Sequence, residues 1–194
     1  MMNTKKKLIT VLLIAACAVS AFASDFVNIS FDFGISTAIM AYGDDTVSKI
    51  TKDVSSAGTR GIIGATADLN VDIGKYVTAF AGCDFMFDGS SGNKEHFNHI
   101  DLAFFPGVRI YPDLGGFNVS VAYAFGNRFD FYSQNRKPYK PAEWGSGLRV
   151  ALEYNMLHGT ENEVGLVVGV YGRYMKRGND TGDHIFAVYC SVAF

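Results

Sequence analysis

The stretch Leu148-Arg149-Val150-Ala151-Leu152-Glu153-Tyr154-Asn155-Met156 alternates strictly between two kinds of residue. In an extended chain successive side chains point to opposite sides, so Leu148, Val150, Leu152, Tyr154 and Met156 share one face. Arg149, Ala151, Glu153 and Asn155 share the other. An arginine and a glutamate sit together on the less apolar face, and no charge interrupts the apolar one. Such a strand fits a barrel with its apolar face turned inward, or one with that face turned out to lipid. The placement of charge along the other strands decides between them.

Seven further segments repeat the alternation. Their apolar faces begin at Val27, Ile63, Val77, Ile100, Phe117, Val164 and Phe186 and continue at every second position. Pro106 falls inside the fourth segment, where it cannot donate to a ladder, and a bulge is expected there. Asp72 to Lys75, Pro112 to Gly116 and His158 to Glu163 read as short turns. Asp44 to Gly58, Asp88 to Asn98, Tyr132 to Glu143 and Met175 to Asp183 read as longer polar loops. Short and long connections alternate, which predicts an all-β, eight-stranded, antiparallel up-and-down meander with its short turns at one rim. Closing it into a barrel removes both edges.

Asp32, Arg60, Asp68, Asp84, Asp101, Arg109, Arg128, Asp130, Arg149, Glu153 and Arg173 all fall on the less apolar face. That face carries no lysine; the lysines after the N-terminal region lie in loops or turns. A solvated sheet surface would normally hold lysine, whereas a narrow interior favours arginine, whose planar fork matches carboxylates and tolerates burial. Small residues such as Gly64, Gly82, Ala103, Ala122 and Gly169 share the face, as a crowded lumen requires. The charges are therefore expected to point inward and to form ion pairs that plug the lumen. The apolar faces then meet lipid, making this a transmembrane barrel. Phe117 and Phe194 at one rim, and Phe87, Phe131, Trp144 and Tyr174 at the other, suit aromatic girdles.

The N-terminus reads as an export signal. Lys5, Lys6 and Lys7 precede an apolar stretch from Leu8 to Ala21, and Ala21-Phe22-Ala23 forms an A-x-A cleavage site. Residues 1–23 are thus expected to be a signal peptide and residues 24–194 the barrel domain. Ile14-Ala15-Ala16-Cys17 offers a competing lipoprotein reading with Cys17 lipidated, but the A-x-A site just before the first strand favours ordinary cleavage. Composition agrees with export of a folded domain. With 48% hydrophobic and 19% charged residues the chain is too apolar for disorder. A formal charge of −2 leaves no basic footprint for nucleic acid. Three cysteines cannot make a disulfide framework. Cys83 and Cys190 face outward three ladder steps apart, about 14 Å, so they are expected to stay free.

The ending Phe186-Ala187-Val188-Tyr189-Cys190-Ser191-Val192-Ala193-Phe194 resembles the C-terminal assembly signal of bacterial outer-membrane barrels. With the eight-stranded pattern, the chain is similar to the small barrels of the OmpX, OmpW and OmpA type. Phe186, Val188, Val192 and Phe194 would carry the signal; Cys190 stands where that family usually has an aromatic. The resemblance implies a bacterial outer-membrane location, with termini and short turns toward the periplasm. It also implies barrel-assembly machinery and outer-membrane lipid as partners.

No catalytic, metal or cofactor constellation emerges. His96 and His99, with Glu95, read as a loop pair lacking the further ligand that a metal needs. Asp88-Gly89-Ser90-Ser91-Gly92 lacks the Gly-Lys-Ser/Thr ending of a phosphate loop and reads as a flexible tip. No histidine is followed by serine two positions on, the mark of lipid A deacylase barrels. Asp88, Ser90, Ser91 and His96 share one loop but match ordinary loop composition. The chain is not expected to be an enzyme. Arg136, Lys137 and Lys140, beside Tyr132 and Tyr139, offer a surface to anionic headgroups or a host ligand, against the plainer reading of a solvated loop. The leading expectation is a structural or surface-interaction role through four outer loops. The OmpW resemblance implies an alternative, a narrow channel for small or hydrophobic solutes. A secreted lipocalin-like carrier is a further alternative.

Overall fold

The computed structural model describes residues 28–112, 115–133, 144–160, 164–178 and 180–194. The signal-peptide and Cys17 readings, and Arg136, Lys137, Tyr139 and Lys140, lie outside the described residues.

Eight strands close into one antiparallel barrel in sequence order. They are β1 (Ile29–Ala41), β2 (Gly58–Gly74), β3 (Val77–Gly92), β4 (Glu95–Ile110), β5 (Phe117–Ser133), β6 (Gly145–Asn155), β7 (Gly165–Arg177) and β8 (Gly182–Ala193). β1 and β8 close the ring with Asp32 opposite Ala193 and Ala41 opposite His184. Phe31 and Phe194 exchange two backbone hydrogen bonds at the rim where the chain ends.

The apolar faces point outward. Ile35, Ile63, Leu69, Tyr123, Leu148, Phe186 and Val188 stand exposed around the wall, while Asp68, Asp84, Arg109, Arg149 and Arg173 are buried inside. This overturns the lipocalin-like alternative, which needs an apolar lumen and a wettable exterior. A spanning strand needs about 9–11 residues, and every strand is long enough. β2 to β5 run 16 or 17 residues and rise well above the others at the rim opposite the termini.

Two expectations about connections and one about a bulge require correction. Asp44 to Gly58 is not a loop: it holds a helix, α1 (Asp45–Ser56). Asp44 caps it, its carboxylate accepting from Thr46 N and Val47 N at 2.9 and 3.1 Å. Val47, Thr51 and Val54 recur at helical spacing and bury one stripe against the barrel mouth. Replacing Asp44 with Ala should cost about 1 kcal/mol of cap energy. Faster amide exchange confined to α1, with β-strand protection unchanged, is the expected readout.

Asp88 to Asn98 is likewise not a loop. β3 and β4 continue to Gly92 and Glu95 and join through Asn93-Lys94, whose φ angles of 51° and 64° match a type I′ hairpin turn. The stretch Asp88-Gly89-Ser90-Ser91-Gly92 is strand, not a flexible tip. A Cβ on Gly92 would strike the Val54 carbonyl, so this glycine lets the end of α1 lie against the hairpin. Pro106 makes no bulge. Its register opposite Ala81 is continuous, its ring is outward, and pairing to β5 lapses only at Phe105 and Pro106.

Candidate functional site

The lumen is the most chemically dense region. Near the rim that holds the chain ends, Asp32 on β1 lies directly opposite Asp68 on β2. Two like charges so placed repel unless a cation joins them. Arg109, reaching from β4, supplies it: Nη2 lies 2.5 Å from Asp68 Oδ2 and Nη1 lies 3.7 Å from Asp32 Oδ2. Its Nε donates to Glu153 Oε2 on β6 at 2.7 Å, and Nη1 donates to Asn70 Oδ1. Asn70 Nδ2 donates in turn to Asp32 at 2.9 Å, and the Tyr189 hydroxyl donates to Glu153. One guanidinium therefore links β1, β2, β4 and β6, with β8 joined through Tyr189.

A second network fills the opposite half. Arg173 on β7 meets Asp101, and Asp84 at 3.4 Å. Arg177 meets Asp101 at 2.6 Å and Asp183 at 2.7 Å. Arg128 holds Asp183 at 2.6 Å and Asp130 at 2.8 Å. His99 Nδ1 lies 2.6 Å from Asp130, and its Nε2 lies 3.0 Å from the Thr51 hydroxyl on α1. The helix is thus tied to the interior by a polar chain.

At the mouth, Arg60 grips Asp88 through Nε at 2.9 Å and Nη2 at 2.6 Å. Tyr42 donates to the same carboxylate at 2.5 Å. Burial, and Asp88 beside it, push the Tyr42 phenol upward, which keeps it a donor. Met40, Tyr42, Val47, Val54 and Phe97 pack around this point and roof the lumen.

Of the residues singled out by parity, ten place charged side chains deep in the lumen, and Arg60 sits at the mouth, 29% exposed. Arg149 stands apart from the others. Its guanidinium makes no hydrogen bond among the described residues, and the nearest carboxylate oxygen, on Glu153, is 4.0 Å away. It rests instead among rings, 4.3 Å from Tyr171, 4.6 Å from Phe105 and 5.8 Å from Tyr189. Its surroundings are those of a ring-caged cation more than of a paired one.

Sequence reasoning missed Asp88, His99, Arg177 and Asp183. His99 is fully buried on β4, which corrects its reading as a solvated loop histidine. For three of them the signal was present, since each keeps the parity of a charged neighbour: Asp88 with Asp84, His99 with Asp101, and Arg177 with Arg173; Asp183 has no such neighbour on β8. Loop-like composition around the strand ends hid it. Phe186, Val188, Val192 and Phe194 all stand on the exposed outer face of the last strand or at its end.

No protein-family model and no curated protein matches the chain. Solved structures do resemble it. One is Ail, the attachment invasion locus protein of Yersinia pestis, in complex with the heparin analogue sucrose octasulfate. It has TM-score 0.52 and 8% identity, covering 86% of this chain and 97% of that one. Another is Neisserial surface protein A, with TM-score 0.50 and 9% identity, covering 87% and 98%. At these identities the likeness is one of fold: the chain has the architecture of the small eight-stranded outer-membrane β-barrels.

Proposed function

We propose that this protein is a bacterial outer-membrane barrel that acts at the cell surface through its tall rim, and neither conducts solutes nor catalyses a reaction. The observation that carries the reading is the filled lumen: two ion-pair networks span it, and α1 covers the mouth. A channel would need those arginines and carboxylates to part, and breaking one buried pair costs about 3–5 kcal/mol. Among the described residues, what remains available to a partner is the rim formed by α1 and the β3–β4 hairpin tip. The two fold neighbours, one named as an attachment protein and the other as a surface protein, agree with a surface role. Barrel-assembly machinery and membrane lipid are the partners this reading requires, and a host or surface ligand at the rim is its consequence.

Two measurements test it. Protease added to intact cells should cleave at the rim and leave the barrel core protected, while inaccessibility would place the rim inside the cell or envelope. In planar bilayers the protein should give no sustained conductance; stable ion-selective steps would instead establish a channel. The folded protein should also be heat-modifiable, because a closed ladder resists detergent until boiled. Identical migration of boiled and unboiled samples, with solubility in the absence of detergent, would refute a membrane barrel.

A further inference from the structure

Thr51 is an unexpected member of the buried stripe of α1. Its neighbours there are Val47 and Val54, and all three are buried against the barrel mouth. A hydroxyl removed from water in such a setting is costly unless it is bonded. Ser55 and Ser56 bond back to carbonyls of their own helix at 3.2 and 3.0 Å. Thr51 reaches the barrel instead, 3.0 Å from Nε2 of His99. A helix of 12 residues is marginal without tertiary support. What holds His99 in place therefore bears on whether α1 stays seated.

The rings of Tyr42 and Phe97 pack on His99 with centroids 4.4 and 4.3 Å away. Its Nδ1 lies 2.6 Å from Asp130. A carboxylate only accepts, so Nδ1 donates, and Nε2 of the neutral ring is left to accept from Thr51. Arg128 grips both oxygens of Asp130, at 2.8 and 3.1 Å, and its Nη1 holds Asp183 on β8 at 2.6 Å. The same oxygen of Asp183 takes Nε of Arg177 at 2.7 Å, and Arg177 on β7 continues to Asp101 at 2.6 Å. Each guanidinium in this run is shared between two carboxylates, so its aim at one is set partly by the other. The Arg109 network joins the run through no hydrogen bond among the described residues.

We propose that the upper ion-pair network is the latch of α1, and that it acts through His99 to keep the helix seated over the mouth. Asp183 and Arg177 are then positioning residues for the rim, although their hydrogen bonds go to the lumen and not to the helix. The inference deepens the surface reading above and rests on it for its consequence. A partner at the rim meets α1 in the position that the network sets, and by reciprocity a partner bound to the seated helix tightens the network. The plainer account is a local tie, in which Thr51 and His99 hold each other and nothing beneath them matters. The two accounts differ in what a cut far from the helix does to the helix.

Amide exchange of the full chain folded in detergent tests this, read on α1 against the strands. Thr51→Val keeps the shape and removes the hydroxyl, so exchange of the α1 amides should quicken about fivefold, the effect of one net hydrogen bond. Thr51→Ser should leave it at the wild-type rate. Asp183→Asn, well down the chain of contacts, should quicken the same amides at least about twofold, with strand protection unchanged. In the double variant Thr51→Val/Asp183→Asn the rate should match Thr51→Val alone, because a chain already cut at its end is not cut further by a second break. Tyr189→Phe, which trims the Arg109 network, should leave α1 unchanged. Should Asp183→Asn fail to fold, Arg177→Gln makes the cut one contact further on. An α1 rate unmoved by that cut would make the tie local to Thr51 and His99 and overturn the latch. So would multiplied effects in the double variant, equal quickening by Tyr189→Phe, or Thr51→Ser behaving as Thr51→Val does. Quickening spread evenly over the strands would assign the effect to general loosening and overturn it too. Failure of the surface reading looks different: protease would not reach the rim on intact cells, while these exchange rates would stand.

Discussion

Arg109→Met should lower the stability of the folded barrel in detergent by about 3–5 kcal/mol, because it strands buried carboxylates that lose their cation. Asp32 and Asp68 face each other across adjacent strands with Arg109 between them, and Glu153 loses its partner as well. Methionine fills much of the same volume, so the loss is electrostatic and not a cavity effect. Arg149→Met supplies the comparison. Sequence parity alone predicts a similar penalty there, since an inward arginine is expected to leave a carboxylate unpaired. The structure reverses that expectation: Arg149 donates to no one among the described residues, and its cage of rings accepts a thioether. Its loss should cost about 1–2 kcal/mol, with cation–ring attraction partly replaced by sulfur–ring contact. Urea titrations of both variants, followed by ellipticity, measure the difference. Equal midpoints would refute the assignment of distinct roles to the two arginines.

Deleting Phe194 should have the second large effect, in cells and not in the folded protein. The side chain sits outward at the rim, 57% exposed, and its complete removal from an apolar environment amounts to about 2–3 kcal/mol at most. Its backbone also pairs with Phe31, so the deletion removes two closing hydrogen bonds, each worth about 1 kcal/mol net. A barrel with this many ladder bonds should still refold into detergent and remain heat-modifiable. If Phe194 ends an assembly signal, insertion into the outer membrane should nevertheless fall sharply, with accumulation or degradation in the periplasm. Phe194→Tyr keeps an aromatic end and should insert nearly normally. Wild-type surface levels of the deletion would show that the terminal aromatic is dispensable for assembly.

The barrel and the outward turn of its apolar faces could be read from residues such as Val150, Leu152, Arg149 and Glu153, because a period of two with charge confined to one phase has few other physical solutions. The helix could not. Val47, Thr51 and Val54 are only three positions among lysines, aspartates and serines, and the stripe gains meaning once Phe97 and Met40 are placed beneath it. The hairpin extension hid behind Gly89-Ser90-Ser91-Gly92, a composition typical of loops that here lets α1 approach. Partner identities were out of reach for a different reason. Arg109 meets Glu153 from a strand two places away, across the lumen, and no periodicity encodes which side chains meet across a closed ring.

The way Arg109 ties β1, β2, β4 and β6 bears on the order of events in folding. Ladder bonds between neighbours can be added one strand at a time, each step gaining on the last. The internal ties cannot: Asp32 and Glu153 reach the same guanidinium only when the sheet has curled far enough to bring β1 across from β6. A half-finished sheet would carry these charges facing water, where they lose nothing by waiting. Ring closure would then convert solvated ions into a shared network in one step. That makes closure a cooperative commitment, and sets it apart from the gradual zippering before it.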